Sequence, residues 1–368
     1  MEALNDPAIR TRLAQELLAH YGRNGRDLPW RRTRDPYCIW LAEIMLQQTG
    51  VKSVVPYFGR FITRFPTLPA LAEAPLEAVL ALWQGLGYYR RAQHLHAAAK
   101  AMVQHHQGRV PEDYATLVQL PGIGPSTAGA ILAIAFDQHH AILDGNVKRV
   151  LTRLLAFDQP PDSTPGNKKL WEAARLLTPA GQAGTYAQAI MDLGAAVCRP
   201  RQPDCPACPW HPWCQANILG RPEAFPIPSA RSVKPHKYQF NALVLRAEGR
   251  LLLLPKPAGG LLGGLWHPPG AEPGPTSTPP APGFVAQWLR DHHGLVVTLP
   301  VALPPVDHIF THFKLTVFPF FCAWRAGELP VRSEHRWIDP AQDRTTPIST
   351  LHRKVLAALP NQMELSRS

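Results

Sequence analysis

Four cysteines within seventeen residues constrain this chain more than any other feature. Cys198, Cys205, Cys208 and Cys214 follow the spacing C-x6-C-x2-C-x5-C. Clustered thiols in one short segment point to a metal centre rather than to packing or scattered disulfides. Four thiolates bind either zinc or a 4Fe–4S cluster. Structural zinc usually draws on two close cysteine pairs, whereas here only Cys205 and Cys208 are so spaced. The wide first gap suits a loop wrapped around a larger cluster. The segment must therefore close on itself and pack against something rigid. The other two cysteines, Cys38 and Cys322, stand alone and read as small buried hydrophobes.

The scaffold around this loop reads as helical. Ala8–Tyr21 places Leu13, Leu17 and Leu18 on one face. Tyr37–Thr49, Leu76–Trp83, Ala92–His105 and Ser126–Phe136 are further helical stretches, separated by short Pro- or Gly-containing breaks. Alternating strand patterns are absent from this half. Four prolines (Pro222, Pro226, Pro228 and Pro235) then mark residues 218–237 as a semi-extended linker. Beyond it, Gln239–Leu245, Arg250–Leu254 and Leu315–Phe321 are short β-rich runs, Phe284–His293 reads as one helix, and Glu272–Gly283 is a proline-rich loop. The expected organisation is an all-α domain over 1–217, a linker over 218–237 and a smaller α+β domain over 238–368.

Charge narrows the choice of partner. The net charge is +11 over 368 residues. It is shared between the halves, with 23 Lys+Arg against 18 Asp+Glu in 1–228 and 15 against 9 in 229–368. A diffuse basic excess suits a polyanion such as nucleic acid. The start of the chain has no basic-then-apolar signal layout, and the longest apolar run is far too short to span a bilayer. These features predict a cytoplasmic protein without membrane contact, in a compartment that keeps thiols reduced.

Three segments carry candidate chemistry. In Leu120–Gly129 (LPGIGPSTAG), Gly122 and Gly124 allow a tight turn and close approach to another chain. Pro125 fits the first turn of the helix that follows, whose free N–H groups favour an anion. This reads as a helix–hairpin–helix DNA element. Glu43 is a lone carboxylate in the apolar stretch WLAEIML; burial would raise its pKa and let it hold a proton near neutrality. Asp144, in LDGNVKRV, is by itself a helix N-cap candidate.

Taken in order, WLAEIMLQQT, LWQGLGYYRRA, LPGIGPSTAGAI, ILDGNVKRV, MDLGA and the cysteine loop resemble the MutY family of adenine DNA glycosylases, within the endonuclease III-like superfamily. The resemblance is dense over 8–215. It implies a mainly α helix–hairpin–helix glycosylase with a 4Fe–4S loop, acting as a monomer on double-stranded DNA with adenine opposite 8-oxoguanine or guanine. It implies Glu43 as the acid, Asp144 as the carboxylate that stabilises the sugar cation, and Asn146 as an aid to orienting sugar and water. Arg26, Trp30, Arg31 and Gln188 would line the base pocket. Gln48 and Tyr88 would wedge into the base stack, with Thr49 bonding the opposite base and Gly122, Gly124 and Lys148 near phosphate. Related glycosylase/lyases carry a Schiff-base lysine where this chain has Ser126. That difference implies a monofunctional enzyme, with Ser126 a weak support for Asp144.

The C-terminal half resembles a Nudix domain at Gly259–Gly270. The helix that would hold magnesium in a Nudix hydrolase, FVAQWLRDHHG, contains no Glu, so recognition rather than hydrolysis is expected. Phe310, Thr311 and His312 are similar to the family's loop that reads 8-oxoguanine.

Overall fold

A computed structural model describes residues 2–228, 233–257, 259–329, 334–343 and 345–359. Its contacts divide the chain into two compact units, one formed by residues 1–73 and 94–231 and the other by 74–93 and 232–368.

The first unit is helical. Its elements are α1 (Pro7–Asn24), α2 (Pro36–Leu46), α3 (Val51–Arg64) and α4 (Leu68–Glu73). After α5 (Leu76–Trp83), which belongs to the other unit, come α6 (Arg90–His105), whose residues 90–93 also belong to the other unit, and α7 (Tyr114–Leu117), then α8 (Pro125–Phe136), α9 (Gly145–Leu154), α10 (Thr164–Leu177), α11 (Ala183–Asp192) and α12 (Gln215–Ile218). Several starts are set by side-chain caps. Asp6 accepts from the Ala8 amide at 2.8 Å and Asp35 from the Tyr37 amide at 3.0 Å, each followed by a proline at the first helical position. Helix α2 ends at Leu46 rather than at Thr49 as the pattern suggested. The chain turns there, with the Thr49 amide donating to the Leu46 carbonyl and Gln48 at φ 55°.

Helix α8 is the axis of this unit. Ala128 through Ala133 are all buried, and α2, α7 and α11 pack against it. A helix apolar on every side belongs inside a bundle. Its small residues let neighbours approach closely. A Cβ on Gly184 of α11 would lie 2.4 Å from the Ala133 carbonyl oxygen, inside any tolerable contact. Leu13 and Leu17 of α1, Val147, Val150 and Leu151 of α9, and Leu170 and Leu177 of α10 complete the adjoining core.

The second unit contains β1 (His236–Leu245), β2 (Leu251–Pro255), β3 (Trp266–His267), α13 (Pro282–His293), β4 (Val296–Val297), β5 (Val301–Ala302), β6 (Val306–Ile309), β7 (Lys314–Ala326), β8 (Arg336–Ile338) and α14 (Thr350–Leu356). Strand β1 runs parallel to β7 over ten residue pairs, from His236–Lys314 to Leu245–Ala323. The sheet order is β3-β2-β1-β7-β4; β8 pairs with β2, and β5 and β6 pair with β7. Both faces of the central strands are covered. Leu243, Leu315 and Val317 meet Leu351 and Val355 of α14. Ala242, Val244, Phe320 and Cys322 meet Val285 and Leu289 of α13. This double burial explains why β1 and β7 read as continuous apolar runs instead of alternating ones.

Two boundaries differ from the sequence expectation. Residues 74–93 join the second unit because polar contacts hold them there. Glu77 pairs with Arg336 and accepts from Trp266 Nε1 at 3.0 Å, while Gln93 donates to the Gly263 carbonyl at 2.7 Å. The proline-rich stretch 218–237 is not wholly extended. Arg153 Nε donates to the carbonyls of Pro222 (2.8 Å) and Phe225 (3.1 Å), tying its first part to the helical unit, and β1 begins at His236. Residues 229–232 of that stretch lie outside the described residues. Among the described residues no helix is long and apolar enough to cross a membrane.

Gly184→Ala should overpack the α8–α11 contact. The expected loss is about 1–3 kcal/mol, read as a melting temperature several degrees lower, with far-UV circular dichroism unchanged at 20 °C.

Candidate active site

A cavity of about 520 Å³ opens in the helical unit. The segment between α1 and α2 contributes Arg26, Trp30 and Arg31; α2 contributes Ile39, Glu43 and Leu46. The turn after α2 and the start of α3 add Thr49 and Lys52. Opposite, the start of α9 contributes Asp144, Asn146 and Arg149, and α11 contributes Gln188 and Met191. Residues separated by a hundred positions thus share one wall-lined space.

The two carboxylates face this space under different conditions. Glu43 projects from an apolar helix, and burial pushes its carboxyl up to about 7; the nearby Asp144 charge adds to the rise and Arg31 opposes it. Asp144 caps α9, accepting from the Val147 amide at 2.8 Å. Burial raises its pKa too, but the amides of Val147 and Asn146 and the Arg149 guanidinium work against that rise. The net result is still a pKa above the ordinary carboxylate value, but hydrogen bonds to the charged form limit that rise, a help that Glu43 lacks.

The remaining polar groups are held from behind. Gln188 Oε1 accepts from the Tyr21 hydroxyl at 2.7 Å. Arg149 Nη2 donates to Asn146 Oδ1 and to the Gly194 carbonyl, both at 2.7 Å. Trp30 is buried edge-on against Phe58. Asp192, at the end of α11, receives both Arg26 and Arg31.

Other expected residues lie elsewhere. Ser126 is not among the residues lining the cavity; its hydroxyl accepts from the Leu143 amide at 3.0 Å and so steadies the chain just ahead of Asp144. Lys148 pairs with Asp162 at 2.6 Å. Gly122 sits at φ 79° in the hairpin before α8, and Gly124 caps that helix in an extended conformation. Gln47 Nε2 bridges α2 to the hairpin, donating to the Gly122 carbonyl (3.1 Å) and Thr127 Oγ1 (3.2 Å). Gln48 in the first unit and Tyr88 in the second are both exposed, at φ 55° and 49°. Side chains held in the left-handed region cost about 1–3 kcal/mol and tend to mark functional positions.

The sequence of this site has clear relatives. Residues 41–175 match the HhH-GPD superfamily of base excision DNA repair proteins, and residues 241–358 match the NUDIX domain. The chain is 34% identical to the adenine DNA glycosylase of Rattus norvegicus over 95% of its own length and 78% of the relative's. It is 34% identical to that of Homo sapiens, over 97% and 76%. The chain belongs to the adenine DNA glycosylase family. Among solved structures, a thermostable thymine-DNA glycosylase superposes with a TM-score of 0.53 at 29% identity, covering 57% of this chain and 97% of its own. The fold expected from the sequence, a helix–hairpin–helix unit followed by a Nudix-like unit, is the fold found.

Elsewhere in the glycosylase, Cys198, Cys205, Cys208 and Cys214 all line one small cavity beside α9. Among the described residues, no three His, Cys, Asp or Glu side chains are gathered closely enough to hold a single metal ion. The loop is anchored by Trp210, whose Nε1 donates to the Leu13 carbonyl at 2.8 Å. Burial pushes the Cys208 thiol up to about 12. Arg153, 2% exposed, donates to Cys198 Sγ at 3.3 Å and to the carbonyls of Arg199 and Pro200, and no carboxylate pairs with it among the described residues. A buried cation without an anion is costly. Cysteines carrying an anionic cluster would supply that partner, so the residues present fit such a group.

In the second unit Phe310, Thr311 and His312 form the tip between β6 and β7. The Phe310 and Phe313 rings stack at 4.8 Å, Lys234 Nζ donates to the Phe310 carbonyl at 3.1 Å, and Thr311 and His312 are exposed.

Asp192, Tyr21, Arg149 and Arg153 were not singled out as functional from sequence. Asp192 sat in plain view within MDLGA, but a carboxylate that works through other side chains leaves no spacing signature.

Glu43 also sets a pH-dependent strain. Its folded pKa lies above the ordinary carboxylate value of 4.5, so the folded state favours the protonated form. The stability is fully present below about 4.5 and is lost as pH rises through about 7. Glu43→Gln should therefore raise the melting temperature at pH 8 and change it little at pH 4.5, a difference of up to about 3 kcal/mol. Thermal melts across pH check this.

Proposed function

We propose that this DNA glycosylase excises adenine mispaired with 8-oxoguanine, or with guanine, by protonating the base at N7 and sheltering the resulting sugar cation beside a carboxylate. The observation that carries this reading is the shared cavity of Glu43 and Asp144, with one carboxyl raised to about 7 and the other capped by backbone amides.

Adenine departs poorly from deoxyribose until N7 carries a proton. Glu43 holds a proton near neutrality and delivers it from a low-dielectric wall, which is general acid catalysis. Asp144, favoured as an anion by Val147 and Asn146 amides, faces the sugar carbon as positive charge develops there. Asn146, fixed by Arg149, orients the sugar and the incoming water. Arg26, Trp30, Arg31 and Gln188 bound the base. Water is the final nucleophile, since Ser126 offers no amine and Lys148 is paired with Asp162. The reaction needs the adenine out of the duplex. Gln48 and Thr49 suit the gap left behind, while the Gly122–Gly124 hairpin presents the free amides of α8 to phosphate.

Cys198, Cys205, Cys208 and Cys214 would hold a 4Fe–4S cluster. When bound it supplies a compact anionic tie for the loop around buried Arg153, and the excision steps are performed by the chain's own residues. The exposed tip at Phe310, Thr311 and His312 supports a role in reading the 8-oxo group of the opposite base. The helical unit is then the catalytic module and the Nudix-like unit the recognition module of a monomer.

A duplex with one adenine opposite 8-oxoguanine tests the reading. The wild-type protein should leave an abasic site, with the strand cut only after alkali. Glu43→Gln should slow excision by about 10²–10⁴-fold with duplex affinity retained, and Thr311→Ala should narrow the preference for 8-oxoguanine over guanine about five- to tenfold. Unchanged excision by Glu43→Gln would refute the acid assignment. Separately, the purified protein should contain about four irons per chain with broad visible absorption; zinc in place of iron would remove the cluster from the proposal.

A further inference from the structure

Arg26 and Arg31 bring two cations to the wall of the cavity that holds Glu43. Left unbalanced, Arg31, whose charge lowers the Glu43 pKa, would favour the ionised form of that acid and strip it of the proton it must donate. What stands behind them is a single carboxylate. Asp192, 7% exposed and absent from the cavity lining, accepts five hydrogen bonds from these two residues. The Arg26 amide donates to Oδ2 at 3.0 Å and Arg26 Nε to Oδ1 at 2.9 Å. Arg31 approaches as a fork, Nη1 to Oδ2 at 2.8 Å and Nη2 to Oδ1 at 2.7 Å. Arg31 is further fixed by Nη1 to the Arg26 carbonyl at 3.2 Å and by lying over the Tyr21 ring.

We infer that Asp192 is a positioning residue for excision: one buried carboxylate clamps Arg26 and Arg31 onto the cavity wall and offsets their charge where they face Glu43. Bidentate pairing sets the plane of the Arg31 guanidinium, which no water shell would do. Burial works against the Asp192 charge, yet the guanidiniums of Arg31 and Arg26 hold its carboxyl below the usual range, so the anion persists across the working pH. The other charged groups lining the cavity are Lys52 from α3 and Asp144 and Arg149 from the start of α9. Helix α8 contributes only Ile134 to the lining, and α11 contributes only the neutral Gln188 and Met191. Asp192 is therefore the carboxylate that pairs with the cations beside the acid, while Asp144 answers to Arg149 and the α9 amides.

This inference rests on Glu43 acting as the acid, and the test separates the two ideas. Single-turnover excision of adenine opposite 8-oxoguanine is measured from pH 5 to 9 for the wild type and for Glu43→Gln. The wild-type rate should fall as pH rises above about 7, the value to which burial lifts Glu43. If that fall survives in Glu43→Gln, the acid assignment fails and not the role of Asp192. Given the wild-type limb, Asp192→Asn leaves two uncompensated cations, lowers the pKa of Glu43 and should move the limb about half to one pH unit lower. Asp192→Glu keeps the charge and should leave the limb in place while slowing the plateau several-fold, because the longer side chain misaligns the fork. Should Asp192→Asn not fold by circular dichroism, Arg31→Gln gives the opposite sign: removing the cation moves the limb to higher pH. A limb unmoved in Asp192→Asn, or in Arg31→Gln where that variant stands in, overturns the inference whatever happens to the plateau rate. So does a limb that moves in Asp192→Glu.

Discussion

Burial that raises a carboxyl group's pKa to about 7 is the constraint on which the candidate site depends. Glu43 lines the cavity with Ile39 and Leu46 of the same helix, and the burial that lifts its pKa to about 7 also costs stability above that pH. A second carboxyl in the same cavity would be prohibitive if it were equally starved of donors. Asp144 avoids this by capping α9, where backbone amides favour its anion. One helix start thereby does two jobs, ending a loop and dividing labour between two acids.

Close packing makes that arrangement possible. Helix α8 is built from small and branched apolar residues; α11 approaches it to backbone distance at Gly184, α2 packs against it too, and Glu43 and Gln188 of these two helices line the same cavity. Helix α11 ends on Asp192, which carries the cationic part of the wall. Beyond it the chain runs on to the cysteine loop, whose Cys198 carbonyl accepts from Arg149 Nε at 2.9 Å. Cavity and cysteine loop are thus joined through half-buried Arg149 and buried Arg153. The Nudix-like unit solves a separate problem, covering both faces of a mixed sheet with one helix each and leaving a short aromatic hairpin at its edge.

The helices, the Gly122–Gly124 hairpin, the cysteine loop and the change of texture near residue 218 were legible in the sequence. Periodicity, breakers and thiol spacing are local signals, and the resemblance of LQQT, DGNVKR and the cysteine pattern to one family joined them. Less legible was the end of α2, where a residue with left-handed φ interrupts an otherwise helical pattern; β1 and β7 were read as β-rich runs, without alternation because both of their faces are buried. Residues 74–93 read as more helix in a helical domain, yet Glu77 and Gln93 bond to groups some 170 to 260 positions later.

By itself, the sequence determined which chemical groups were available, namely two carboxyls, four thiols and a hairpin with free amides, and on which local elements they ride. Only the tertiary structure decided which of them act together. It set Glu43 and Asp144 on one cavity, moved Ser126 off it to brace the Leu143 amide, and placed Asp192 behind Arg26 and Arg31. The reason is physical: desolvation and charge compensation depend on which side chains share a volume, and that is set by packing between elements far apart in the chain.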